Sequence, residues 1–328
     1  MIKKCMSRVR SRIRKYNRYT WVKACIKRRR TGRKLFPGNR FCVIYRWAEH
    51  TGIYSHITTC LPALYWAERE GLIPVFDTRD VPNVHKPDDK EDWYELFFEP
   101  PAGFSIDDVA NAENYIVVDA EALYDSTNVK ADNEMQFLKK KDLLEELRSV
   151  YNKYIRINER TKAYIELVWK QLTGNQESDG FLGVRCRGTG YNIVQAEGLT
   201  SVTAVDIITL VKQAMKGGGM DKIFLATDDA DIILLFKESF NDDMLFYIKE
   251  EDRISTADVE QEIECGIGKW TAQVDAMKKK TSNLYMHNLN YITEIMLLTK
   301  CEGIISNRCS AGLCLPLMKS DWKYELYF

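Results

Sequence analysis

"FCVIYRWAEHTGIYSHITTCLPALYWAEREGLIPVFD", residues 41 to 77, decides the fold class. Phe41 to Trp47 is β-rich and reads as a strand. A glycine turn at Gly52 follows. Ile57, Leu61, Leu64 and Tyr65 then recur at helical spacing and face inward, and Gly71 stops the helix. Residues 73 to 76 read as a second strand. A strand, a crossover helix and a strand form a βαβ unit, which predicts a parallel sheet.

The same alternation extends both ways. "NYIVVDA" (114–120) is another strand, and "DWYELFFEPPAGFS" (92–105) reads as a short helix and a loop. Residues 134 to 172 are helical by period. "GNQESDG" (174–180) lacks any large apolar residue and is the best boundary between domains. Beyond it come a strand "FLGVRCR", a helix "SVTAVDIITLVKQAMKGGG", a strand at 222–227, a helix at 229–240 and a strand at 244–248. A helix at 288–300, a strand at 303–306 and a helix at 310–318 complete the pattern. The expectation is α/β, with two Rossmann-like domains at 39–175 and 176–328. The length of 328 residues fits that number on a prior of ~150 residues per domain. Ligands of such sheets bind beyond the carboxyl ends of the strands.

Composition narrows the function classes. No apolar run approaches the ~20 residues of a membrane-spanning helix. The nine cysteines are odd in number and include no Cys-x-x-Cys pair. A disulfide framework and a zinc cluster are therefore not expected, and a reducing, cytoplasmic setting is. The net charge of zero hides an asymmetry. Residues 1 to 34 hold fifteen bases and no acid, which leaves 32 bases against 47 acids in the rest. A basic arm, residues 1 to 38, is joined to an acidic body. Several of the steps between its apolar residues (Met6, Val9, Ile13, Trp21 and Ile26 among them) are three or four, so the arm reads as an amphipathic helix. Such a helix suits an anionic membrane surface. A presequence, a solubilising tail and phosphate attraction to nucleic acid are the other readings. Nucleic acid is not the expected partner, since that reading rests on the arm alone.

Four motifs fall where strands end. "VRCRGTGYN" (184–192) places Arg185 and Arg187 two apart, on one face if the strand continues. With Gly188, Thr189 and Gly190 they form an anion site of guanidinium and backbone N–H groups. An interdomain salt bridge with a β-turn reads the same stretch. "IFLATDDADI" (223–232) delivers Asp228 and Asp229, either to a ribose or base or as helix caps. Asp229-Ala-Asp231 has a metal-binding form, but it sits in a helix start and no metal site is assigned. "GIISNRCSAGLCL" (303–315) brings Ser306, Asn307, Arg308 and Ser310 to a helix N-terminus, an anion site or simply a capped helix. "RWAEHTGIYSHI" (46–57) offers Glu49, His50 and His56 at the first strand's end. Together the four describe a cleft with a site the size of a diphosphate, and a nucleoside diphosphate is its natural occupant.

At these residues the sequence resembles the fucosyltransferase-like glycosyltransferases of the O-fucosyltransferase superfamily, and especially a bacterial group associated with surface polysaccharides. The resemblance covers roughly residues 40 to 328, in the same order. Arg187-Gly188-Thr189-Gly190-Tyr191 is similar to a motif that commonly reads Arg-Gly-Thr-Asp-Tyr. "IFLATDD", "YITEIMLLTKCEGIISNRCSAG", "WYELFFEPPAGFSIDDV" and "GLIPVFD" look like further family features. The resemblance implies two Rossmann-type domains in the GT-B arrangement. It implies an inverting transferase with a nucleotide-sugar donor, GDP-fucose first, and no cofactor or metal. By it, Arg187 neutralises the leaving diphosphate. Arg185, Thr189, Asp228, Asp229, Ser306, Asn307, Arg308 and Ser310 bind the donor. Glu49 or His56 accepts the acceptor hydroxyl's proton. The implied acceptor is a glycan or lipid-linked glycan, reached at the inner face of the membrane through residues 1–34. Gly190 departs from the family pattern, where an Asp usually stands. That departure points to altered donor choice, reduced activity or a binding-only relative.

Overall fold

The computed structural model describes residues 27–30, 38–47, 50–79, 81, 83–86, 91–112, 114–126, 141–174, 179–188, 202–307 and 310–328. The chain divides into two compact units. One ends at Asn158 and takes in Pro316–Met318; the other is Glu159–Leu315 with Lys319–Phe328.

The first unit holds β1 (Lys27–Arg30), β2 (Phe41–Tyr45), β3 (Ile73–Asp77) and β4 (Asn114–Asp119) in the order β1-β4-β2-β3. Strand β2 pairs in parallel with both β3 and β4, and the register brings Tyr45, Asp77 and Asp119 to one edge. The crossover helix α1 (Ile53–Arg69) buries Ile57, Leu61, Leu64 and Tyr65 as their spacing predicts. It also buries Tyr54, Cys60, Ala63 and Trp66, because α3 (Ala120–Ser126) and α4 (Lys141–Tyr154) cover the rest of its surface. A short helix α2 (Ile106–Val109), capped by a Ser105–Asp108 box, packs on the opposite face with Phe41, Val43 and Val75.

Strand β1 corrects the helical expectation for Lys27–Arg30. These four cations pair antiparallel with Val117 to Asn114 at the sheet's edge. The rest of the basic arm lies outside the described residues.

The predicted run of helix at 134–172 breaks in two. Ile157 bridges Phe98 between α4 and α5 (Glu159–Thr173), and α5 belongs to the second unit. The reason is aromatic packing: Trp169 stands 5.1 Å from Phe181 and 6.1 Å from Phe224. The boundary thus falls before α5, ahead of the polar stretch at 174–180.

The second unit's sheet is wholly parallel. It contains β5 (Phe181–Arg185), β6 (Lys222–Ala226), β7 (Leu245–Phe246), β8 (Gly303–Ser306) and β9 (Tyr324–Tyr327), in the order β7-β6-β5-β8-β9. This is the Rossmann order, and it reverses between β5 and β8. Leu182 and Val184 face Ile207 and Val211 of α6 (Ala204–Gly218) and Ile232 and Phe236 of α7 (Ala230–Ser239). Helix α6 starts on a Thr203–Asp206 capping box and stops at Gly219, whose φ of 68° is the left-handed cap that glycine accepts at least cost. On the other face Gly183 lets α10 (Leu284–Leu298) approach. A Cβ there would stand 3.0 Å from Leu298 Cδ2. Helices α8 (Thr256–Glu264), α9 (Lys269–Lys280) and α11 (Ala311–Met318) as far as Leu315 complete the unit. Among the described residues no helix is long and apolar enough to cross a membrane.

Candidate active site

The parallel register lines up Arg185, Ala226 and Ser306 across β5, β6 and β8, so the three following loops leave the sheet side by side. Strand β5 ends at Arg185, and the two arginines then part. Arg185 is buried, and its Nη1 donates to Asn307 Oδ1 at 2.7 Å across the point where the strand order reverses. It therefore ties β5 to β8. Arg187 is partly exposed. Its Nε lies 3.7 Å from Asp228 Oδ2, and its Nη2 donates to Gln273 Oε1 at 3.5 Å.

Asp228 is the hub of this edge. Its Oδ1 accepts the Gly188 N–H at 2.8 Å and its Oδ2 accepts from Gln273 Nε2 at 2.7 Å. A Cβ on Gly188 would lie 2.2 Å from Asp229 Cβ, so the residue after Arg187 has to be glycine for the two loops to meet. The two aspartates thus do different work. Asp228 faces Arg187. Asp229 is buried and caps α7, its Oδ1 accepting the Asp231 N–H at 2.8 Å. Asp231 Oδ2 accepts the Thr256 N–H at 3.0 Å. Of the two readings of the Asp-x-Asp pair, helix capping is the one the hydrogen bonds realise. Among the described residues no His, Cys, Asp or Glu side chains group in threes around a metal-sized space.

The third loop is built as tightly. Ser306 is buried and its hydroxyl donates to the Asn307 carbonyl at 2.9 Å. Ser310 has φ 43°, a strained conformation for serine, and makes no side-chain cap to α11. The same turn has a close approach, since a Cβ on Gly312 would sit 1.9 Å from the Asn307 carbonyl oxygen. Gly312→Ala is expected to cost about 1–3 kcal/mol by forcing that turn open, read as a lowered thermal midpoint.

Beneath the edge lies a network that sequence reading missed. Arg253 is buried, donates through Nη1 to the Thr227 carbonyl, and through Nη2 to the Ile248 carbonyl at 2.8 Å and to Glu294. Glu250 stands 3.8 Å from the same nitrogen. Burial lifts the Glu294 carboxyl to about 7, against the pull of Arg253. The network fixes the end of β6 from which Asp228 and Asp229 project. Gln273 was missed too, and only the Ser255-x-x-Asp258 capping box and Gly268, which start α8 and α9, announce its neighbourhood.

The first unit corrects one assignment. His56 is fully buried inside α1, its ring 5.0 Å from Trp93 and edge-on to it. It cannot reach a substrate hydroxyl, and burial, with the charges of Arg46 and His85, lowers its pKa to about 3. His50 is exposed, so the two histidines do not converge. At the carboxyl edge of β2 stand Arg46, paired with Glu121 at 2.5 Å and donating to Ser55 at 3.2 Å, and the exposed Trp47. Glu49, Thr189, Gly190 and Arg308 lie outside the described residues.

No family model and no curated protein matches the chain. Among solved structures, it is similar to NodZ alpha-1,6-fucosyltransferase co-crystallized with GDP, at 15% identity and a TM-score of 0.47, over 85% of this chain and 92% of that one. It is similar also to fucosyltransferase NodZ from Bradyrhizobium, at 14% identity and a TM-score of 0.46, over 84% and 92% of the two chains. A third similar structure is POFUT1 in complex with GDP, at 10% identity and a TM-score of 0.47, over 88% and 98%.

Proposed function

We propose that this chain is an inverting glycosyltransferase that transfers a sugar, fucose first, from a GDP-sugar to a hydroxyl of a glycan. The observation that carries the reading is Arg187 beside the Gly188 N–H at the carboxyl edge of a Rossmann-ordered sheet, next to the β5–β8 reversal. That is where such sheets take nucleotides. The chemistry follows from charge. As the glycosidic bond of the donor breaks, the diphosphate gains negative charge, and a guanidinium already in place stabilises it without reorganising. Arg187 takes that role. Asn307, held by Arg185, and Ser310 bind the donor with Thr189 and Arg308. Glu49 takes the acceptor's proton, provided it reaches hydrogen-bonding distance. In this reading the unit Glu159–Leu315 with Lys319–Phe328 forms the donor side and the unit that ends at Asn158 the acceptor side of a GT-B enzyme, and no metal takes part. The acceptor belongs to surface polysaccharide synthesis, and the basic arm holds the enzyme at the inner face of the membrane.

Calorimetric titration with GDP, GDP-fucose and UDP, with and without a chelator, tests this. GDP should bind without metal, and Arg187→Ala should weaken it at least about tenfold, the worth of a charge-assisted contact. Unchanged binding in that variant would refute the role. The second reading, a binding-only relative, is favoured by Gly190. Donor binding without turnover, with transfer gained in Gly190→Asp, would establish it.

A further inference from the structure

We propose that Gln273 is a positioning residue for Arg187, acting through Asp228. This rests on the reading of Arg187 as a diphosphate ligand. Gln273 comes from α9, 86 residues from Arg187 and 45 from Asp228 in the chain. Its amide touches both. Nε2 donates to Asp228 Oδ2 at 2.7 Å, and Oε1 accepts from Arg187 Nη2 at 3.5 Å. With the Arg187–Asp228 approach of 3.7 Å, the three side chains close a ring. The Gly188 N–H anchors the ring's carboxylate to the backbone of the arginine loop at 2.8 Å.

The residue type matters. A side-chain amide donates to a carboxylate and accepts from a guanidinium at once, and it adds no charge. The Arg187–Asp228 separation exceeds the about 2.7–2.9 Å of a charge-assisted hydrogen bond. Asp228 therefore attracts the guanidinium without clasping it, and the amide sets the angle between them. Methionine at 273 would fill the same length and make neither hydrogen bond. Glutamate would keep the contact to Arg187 but set a second carboxylate against Asp228. Two such carboxylates repel each other, so the added charge disfavours the ring most where both are ionised.

The test is titration of the full chain with GDP and with inorganic pyrophosphate from pH 5.5 to 8.5, for wild type, Arg187→Ala, Gln273→Met and Gln273→Glu. Gln273→Met should lower affinity for both probes about tenfold at every pH. Gln273→Glu should bind nearly as well as wild type at the acid end and about tenfold more weakly at the alkaline end, where its added charge is complete. That pH-dependent ratio is a signature that mere packing would not produce. Wild-type binding that is lost in Arg187→Ala but equal in both Gln273 variants at every pH would overturn the proposal and leave the proposed function standing. No binding of either probe by wild type would overturn both.

Discussion

Arg253→Met should destabilise the second unit by about 3–5 kcal/mol, the range for removing one partner of a buried ion pair. The guanidinium is buried, and it serves two backbone carbonyls, Thr227 and Ile248, as well as Glu294. Methionine supplies the volume and none of the donors. The loss should also depend on pH. Burial holds the Glu294 carboxyl at about 7 with Arg253 present, and without that charge it rises further. An acid whose folded pKa lies above its unfolded value loses stability as pH climbs from the unfolded value to the folded one. The single variant should therefore keep losing stability above pH 7, where the wild type levels off. Adding Glu294→Leu removes the stranded carboxyl, and the double variant should recover most of the loss. Urea unfolding at pH 6 and pH 8 decides this. A single variant within about 1 kcal/mol of wild type at both pH values would mean that the pair contributes no more than an exposed one.

What was legible in the sequence was what is local. The βαβ unit of residues 41–77 showed itself because two short continuous apolar runs flank a segment whose apolar residues step by three or four. Strands β5, β6 and β8 were legible because each is a short apolar run ending in polar residues, and the sheet's register then set those ends side by side. Elements without that contrast were not read. Lys27–Arg30 has no apolar residue to alternate, and its bases looked like the polar face of a helix. Tyr324–Tyr327 alternates Tyr-Glu-Leu-Tyr but is an edge strand of mixed polarity. In the site, spacing alone paired Arg185 with Arg187, whereas register pairs Arg185 with Ser306 and hands it to Asn307. Gln273 carries no local mark because its meaning lies in two partners distant in sequence. Asp229 could be a cap or a ligand by sequence, and the hydrogen bond from Asp231 shows that it caps α7.

His56 makes the same point with a measurable consequence: the first unit should lose stability steeply in mild acid. The ring is fully buried, and among the described residues neither nitrogen has a hydrogen-bond partner. Trp93 meets it edge-on at 5.0 Å and Phe76 at 6.4 Å. A proton on this imidazole would be stranded among aromatic rings near the Arg46 charge, which is why burial, then Arg46 and His85, lower its pKa to about 3. In the unfolded chain the same group titrates near 6.5. The folded value is the lower one, so the unfolded state binds the extra proton first. Full stability holds above pH 6.5 and falls as pH drops through the window from 6.5 to about 3. Each pH unit inside it is worth about 1.4 kcal/mol, so pH 5 should cost about 2 kcal/mol through this residue alone. The contribution of His56 is read as a difference between two proteins. His56→Leu keeps a similar volume and cannot be protonated. Its unfolding free energy, measured beside wild type at pH 7, 6 and 5, should fall more gently by that amount. Parallel curves for the two proteins would show that the imidazole takes up no proton on unfolding in this range, and the buried, neutral placement of His56 would be wrong.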